Sequence, residues 1–398
     1  MIEAIPVGRR PRLLFIDDQR EVVRTLAKLL NSLNVECRFA DDGEAGLRRL
    51  QSEVFDVIIV DLRMPPEEWG GLWLLEKLVE NRITANAIVL SGEAGQVETI
   101  KAMRLGALDF VVKDNAQVEL CDRVQEALTD ASRLRWQFAT TELPAALSIP
   151  FSRMGLRTDE IHKLRAAISC VEAVYRFAAL AASAACGRSG RDLLVEFLGS
   201  PSMGTWQHLC RRLLDDLPDS AIRRWVEFLS RSTADEITTL RNDLHHGADP
   251  SRRWAQERLP IVGDWLDQFL ALARHWPHVS LIVPGALEYS GGRFLVDAAT
   301  ISGNASTVGS VRFSHDRPLD TGHVHLLTEN SLVDMWPLIT AEQGEMPGRW
   351  SVFVLDSYQS SGSRAAAATG KLRYLDLERG ERAISSANVV EDIRRTAD

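Results

Sequence analysis

No stretch of this 398-residue sequence approaches the ~20 consecutive apolar residues needed to cross a bilayer. The longest candidate, from Phe177 to Cys186, is alanine-rich and set inside a helical pattern, so no membrane partner is expected. Cysteine is sparse: Cys37, Cys121, Cys170, Cys186 and Cys210 are scattered, with no CxxC pair. That excludes zinc fingers and disulfide frameworks and predicts reduced thiols in a cytoplasmic chain. The arginines at 9, 10 and 12 lead into a strand ending at Asp17 and Asp18 rather than into an apolar segment, so no secretory leader is expected. A basic segment is also missing. The net charge of −9 divides into −5 over residues 1–135, zero over 136–278 and −4 over 279–398. DNA-binding domains offset phosphate repulsion with a basic face, so a DNA partner is not expected.

What the chain does have is length for two or three domains. Over 10–135, short apolar strands alternate with amphipathic helices. The strands are 12–17 (RLLFID), 35–40, 56–61 (DVIIVD), 87–91 (AIVLS) and 108–113, with helices near 20–32, 43–51, 71–81, 95–105 and 117–134. Continuous Val/Ile/Leu runs are expected when helices cover both sheet faces. Five such units predict a doubly wound α/β parallel sheet of flavodoxin-like type. Residues 136–157 hold two prolines, lose the alternation and read as a linker. Residues 158–275 carry only helix-period patterning and predict an all-α domain. From 279 to 380, short strands such as VSLIVPGAL, HVHLLTE and WSVFVLD between Gly, Ser and Pro turns predict a small antiparallel β domain. Residues 383–398 read as a polar tail with room for one short helix.

Strand ends carry the chemistry. Asp17 and Asp18 close the first strand, Asp61 the third, Ser91 the fourth and Lys113 the fifth. In a parallel sheet these ends converge on one edge. Three clustered carboxylates repel unless a divalent cation neutralises them, and Mg²⁺ suits an incomplete cage of hard oxygen ligands. With the metal bound, Asp61 can attack a phosphoryl group while Lys113 and the Ser91 hydroxyl offset charge on the transferred oxygens.

These residues resemble the response-regulator receiver family, of which the chemotaxis regulator is the minimal example. The match rests on the acid pair in LLFIDD, on DVIIVDLRMP around Asp61, on LSGE around Ser91 and on GALDFVVKD around Lys113, about a third of the chain. The resemblance implies a sensor histidine kinase as phosphate donor to Asp61. It implies Mg²⁺ held by Asp18, Asp61 and the Arg63 main-chain carbonyl, with Asp17 acting mainly through water. It also implies Ser91 and Phe110 as a switch pair, and repacking of the face formed by the fourth helix, fifth strand and fifth helix is expected to control homodimerisation on phosphorylation. Two departures stand out. Asp114 replaces the usual proline after the lysine, leaving a rearranged loop or a trans bond as the options. The loop MPPEEWGG is about two residues longer than the common form, and leaves Trp69 available to a partner.

In the helical part, ADEITTLRNDLHHGAD at 234–249 resembles the arginine–x4–histidine signature of HEPN-type domains. That resemblance implies either a non-cleaving protein- or RNA-binding module or a metal-independent ribonuclease using Arg241, Asn242 and His246, with Gly247 as helix cap. The first reading gives an output region that works by protein interaction or dimerisation; the second gives phosphorylation-gated cleavage of RNA. Residues 199–214, with Trp206, predict a helix–helix corner. His315, His323 and His325 read as surface histidines rather than metal ligands.

Overall fold

The computed structural model describes residues 8–66, 68–92, 96–232, 234–246, 250–276, 279–304, 308–329, 331–344, 349–359 and 370–395. It divides into two compact units. One comprises Val7–Trp136 with Asp267–Pro277; the other comprises Met1–Pro6, Gln137–Leu266 and His278–Asp398.

The first unit alternates β1 (Arg12–Ile16), α1 (Arg20–Leu29), β2 (Glu36–Ala40), α2 (Gly43–Ser52), β3 (Val57–Val60), α3 (Gly70–Glu80), β4 (Ala87–Ser91), α4 (Gln96–Arg104), β5 (Asp109–Val112) and α5 (Ala116–Thr141). The strands form one parallel sheet in the order β2-β1-β3-β4-β5. Successive residues of a strand point to opposite faces. Leu14, Ile16, Ile58 and Val60 therefore join the core on one side, and Leu13, Phe15, Val57 and Ile59 the core on the other. All four β3 residues are buried for this reason.

The base of this unit departs from the sequence reading. The long helix α12 (Arg252–His275) begins in the other unit, but its last part belongs here. Asp267, fully buried, accepts from Arg9 Nε and Arg135 Nε, both at 2.8 Å. Asp56, equally buried, accepts from Arg9 at 2.6 and 2.9 Å, from Arg135 Nη1 at 2.7 Å and from the Arg12 N–H at 2.7 Å. Two guanidiniums and two carboxylates close a square. The buried His275 places Nδ1 3.0 Å from the Thr84 carbonyl and Nε2 2.8 Å from the Leu50 carbonyl. Both carbonyls are acceptors, so only a ring carrying both N–H groups serves the two at once. Trp276 joins the sheet core beside Leu75 and Leu78.

The stretch expected as a linker is helical. α5 continues to Thr141, and α6 (Ala145–Gly155) follows. Trp136, Phe138, Ala139, Leu143, Leu147, Phe151 and Met154 are buried, enough apolar surface to outweigh the prolines. Pro144 stands just before the first residue of α6 and does not interrupt the helix, while Pro150 lies within it.

In the second unit α6 packs on α7 (Glu160–Ala185), with α8 (Gly187–Phe197), α9 (Met203–Leu213), α10 (Ala221–Arg231) and α11 (Asp235–His246) around it. Among the described residues α7 alone is long and apolar enough to cross a membrane, and 78% of its apolar window is buried. Trp206 is buried on α9. Two antiparallel sheets complete the unit. One contains β6 (Ser280–Ser290), β7 (Arg293–Ile301), β8 (Val308–His315), β9 (His325–Leu327) and β10 (Leu332–Asp334), in the order β10-β9-β6-β7-β8. The other is β11 (Ile339–Gln343), β12 (Trp350–Gln359), β13 (Lys371–Asp376) and β14 (Glu381–Val389), in sequence order. The expected tail is β14 followed by α13 (Val390–Arg395), with Val390 and Ile393 buried.

The histidine reading is corrected in part. His325 is buried, which pulls its pKa down, and His323 stacks on Trp336 with Nδ1 2.8 Å from Asp334 Oδ2. Buried Val324 and Leu326 on either side of His325 draw it inward; His315 is half-buried.

Arg191 on α8 is 2% exposed and donates to the main-chain carbonyls of Asp334 (2.6 Å), Trp336 (2.9 Å) and Ile393 (3.3 Å). Burial lowers its pKa, and Asp334 opposes that. Arg191→Met leaves three buried acceptors short of a donor and should cost about 2–4 kcal/mol in urea unfolding of this unit. Arg191→Lys should recover only part of that, because one ammonium cannot reproduce the planar fork.

Candidate functional site: the acidic edge of the parallel sheet

The turns after β1 and β3 bring Asp17, Asp18 and Asp61 together, with one ligand oxygen from each within 4.8 Å of the others. Asp17 and Asp61 are buried and Asp18 is exposed. Lys113, just past β5, reaches across with Nζ 2.8 Å from Asp17 Oδ2 and 2.9 Å from Asp61 Oδ2. Burial pulls the lysine pKa down, but its hydrogen bonds and attraction to Asp17 and Asp61 outweigh this and hold it raised. Asp17 is raised, chiefly by burial and also by Asp61, against the opposing pull of Lys113. The Arg63 N–H lies 3.4 Å from Asp61 Oδ1. Ser91, at the end of β4, is buried with no hydrogen-bond partner for its Oγ. Phe110, paired with Val89 across β4 and β5, is half-buried against the core.

All the oxygen donors are hard, three are carboxylates, and one ammonium cannot neutralise three charges. The set therefore fits a divalent cation of the Mg²⁺ type. Among the described residues no other group of acids, histidines and cysteines gathers in this way.

Local sequence explains how Asp61 is held. The loop after it turns back so that the Gly71 N–H donates to the Leu62 carbonyl at 3.1 Å and the Gly70 N–H to the Met64 carbonyl at 2.8 Å. A Cβ at 71 would lie 2.1 Å from the Asp61 carbonyl oxygen, so Gly71→Ala must displace the backbone of Asp61. It should cost about 1–3 kcal/mol in chemical denaturation and slow any reaction at that carboxylate. The peptide after Lys113 is not among the cis bonds; Lys113–Asn115 form a short 3₁₀ turn instead. Trp69 is half-buried against the core.

Residues 13–125 match the family model of the response regulator receiver domain. This part of the chain is a receiver domain. The two-component response regulator PprB of Pseudomonas aeruginosa is 28% identical over 167 residues, covering 40% of this chain and 59% of that protein. Protein-glutamate methylesterase/protein-glutamine glutaminase 3 of Geobacter sulfurreducens is 36% identical over 107 residues, covering 26% of this chain and 28% of that protein. A solved response regulator receiver protein from Pseudoalteromonas atlantica is 26% identical, with a TM-score of 0.29, covering 30% of this chain and 99% of that one. The chain thus spans less than two thirds of these curated relatives. The receiver domain indicates two-component signalling.

Of the strand-end residues singled out in the sequence, the receiver brings Asp17, Asp18, Asp61 and Lys113 together. Arg241 pairs with Glu172 on α7 at 3.1 Å and Asn242 is exposed. The His246 side chain and Gly247 lie outside the described residues. Sequence reasoning missed the square of Arg9, Asp56, Arg135 and Asp267. Its one local signal was the acid at each end of DVIIVD.

Proposed function

We propose that the receiver accepts a phosphoryl group on Asp61 from a histidine kinase and, through that modification, sets the state of the helical and β output region. The observation that carries this is the buried Asp61 carboxylate with Lys113 at 2.9 Å, beside two further carboxylates. Asp18, Asp61 and the Arg63 carbonyl would hold Mg²⁺, which supplies neutralising charge for an incoming phosphoryl group, with Asp17 supporting it. An Asp61 oxygen forms the bond to phosphorus as the bond to the donor breaks. Lys113 then exchanges a carboxylate partner for a phosphoryl oxygen. Ser91 Oγ, unpartnered in this state, gains an acceptor in the phosphorylated one, and Phe110 follows toward the space this leaves. Two discrete packings of that pair give the receiver two states for an output to discriminate.

For the output, the Arg241–Glu172 ion pair favours a binding module, by protein interaction or dimerisation, over a ribonuclease, because it engages the arginine within its own unit. The test is incubation of the full chain with acetyl phosphate, read by intact mass and by size in solution. One phosphoryl group gained with Mg²⁺ and none with EDTA is the expected result. No gain with Mg²⁺ overturns the reading.

A further inference from the structure

Within the second unit, α6, α7 and α11 face the β12–β14 sheet across a cavity of about 530 Å³. Six arginines line it: Arg153, Arg157, Arg165, Arg176, Arg241 and Arg382. Only two acids, Glu172 and Asp356, line it with them. Four positive charges are left in excess, in a chain whose net charge is −9.

The arrangement is built from a helix face. His162, Arg165, Ser169, Glu172 and Arg176 follow at three- and four-residue steps on α7, so they share one side of it. Arg176 is 8% exposed, lies 3.0 Å from Glu172 and 3.4 Å from Asp356, and sits over the Trp206 ring at 5.8 Å. The two carboxylates are shared further: Glu172 with Arg241 at 3.1 Å, Asp356 with Arg382 at 2.9 Å. Two acids thus serve three guanidiniums, and the buried Arg176 Nε has no hydrogen-bond acceptor at all. Arg157 and Arg165, both exposed, have no acidic partner among the described residues. Clustered guanidiniums repel one another, and a buried donor without an acceptor costs stability. A multiply charged anion relieves both. Guanidinium forks match phosphate oxygens two at a time. The remaining wall is apolar, with Pro150, Phe177, Val354, Leu375 and Leu377, and the volume lies in the range of small-molecule sites.

We propose that this cavity binds a nucleotide-class anion, with at least two phosphates on the arginines and the base against the apolar wall.

The test is calorimetric titration of the full chain with ATP, GTP and inorganic pyrophosphate, in EDTA so that no metal–nucleotide complex forms at Asp17, Asp18 and Asp61. Saturable binding of ATP or GTP, tighter than pyrophosphate and weakened about tenfold or more by Arg157→Glu with Arg165→Glu, is the expected result. Both side chains are exposed, and an unchanged melting transition checks that the double variant folds. No binding of either nucleotide at millimolar concentration overturns the proposal. So does binding indifferent to the double variant, and so does pyrophosphate binding as tightly as the nucleotides.

Discussion

With asparagine in place of Asp61, the full chain should gain no mass from acetyl phosphate and Mg²⁺, while the wild type gains one phosphoryl group. Asparagine fills nearly the same volume and can still accept from the Arg63 N–H, so the β3 end keeps its shape. What it lacks is the anionic oxygen that attacks phosphorus. It also removes one of the two carboxylates within 3 Å of Lys113. The loss should therefore be complete rather than graded, and folding should be unimpaired, since one of three repelling acids is gone. Lys113→Met should differ in kind: uptake slows but does not vanish, because the nucleophile remains while charge on the transferred oxygens goes uncompensated. Uptake by the Asp61→Asn chain at the wild-type rate would place the acceptor elsewhere.

The second large effect lies at the opposite end of the same sheet. Asp267→Asn should destabilise the receiver unit by about 3–5 kcal/mol, because it leaves the buried Arg135 and half-buried Arg9 guanidiniums around the single carboxylate of Asp56. Hydrogen exchange of the β1 and β3 amides reports this unit separately from the other. Replacing a pair together, Asp267→Leu with Arg135→Met, should cost less than the single change, since no uncompensated charge remains. The square also fixes a direction for pH. Burial pushes Asp56 up, but Arg9 and Arg135 more than offset it and hold the acid below its ordinary value. A depressed carboxylate contributes stability above its unfolded pKa and loses it as pH falls through the folded one. The receiver should therefore weaken in acid, below about pH 4, and the Asp267→Asn chain should lose stability there in a different proportion. An Asp267→Asn stability within about 0.5 kcal/mol of wild type would mean the square is no more than surface pairing.

Much of the receiver was legible because its information is local. Apolar runs of four or five residues gave the strands, and polar residues at their ends gave the site. The other end of β3 was not legible in the same way. Asp56 and Asp61 bracket one strand, yet only Asp61 has motif neighbours; the partners of Asp56 come from Arg9, Arg135 and the distant α12. Prolines 144 and 150 suggested a linker, but buried Phe138, Leu147 and Phe151 outweigh two breakers. The cavity left half a signal, the polar stripe from His162 to Arg176 on an otherwise apolar helix. Its other half, Asp356 and Arg382, is distant in sequence and lies in β12 and β14.

That the end of α12 completes the receiver has a consequence for synthesis. Chains emerge from the ribosome N-terminus first, and a domain folds once its last necessary residue is out. The five strands are complete by Val112, but Asp267, His275 and Trp276 arrive only after the whole helical segment has been made. Until then Arg9 and Arg135 share Asp56 alone, and the Leu50 and Thr84 carbonyls lack their histidine. The receiver is thus finished only after α6 to α11 have been made, and a nascent chain passes through a stage in which those helices can begin to fold while the receiver is still open at the base.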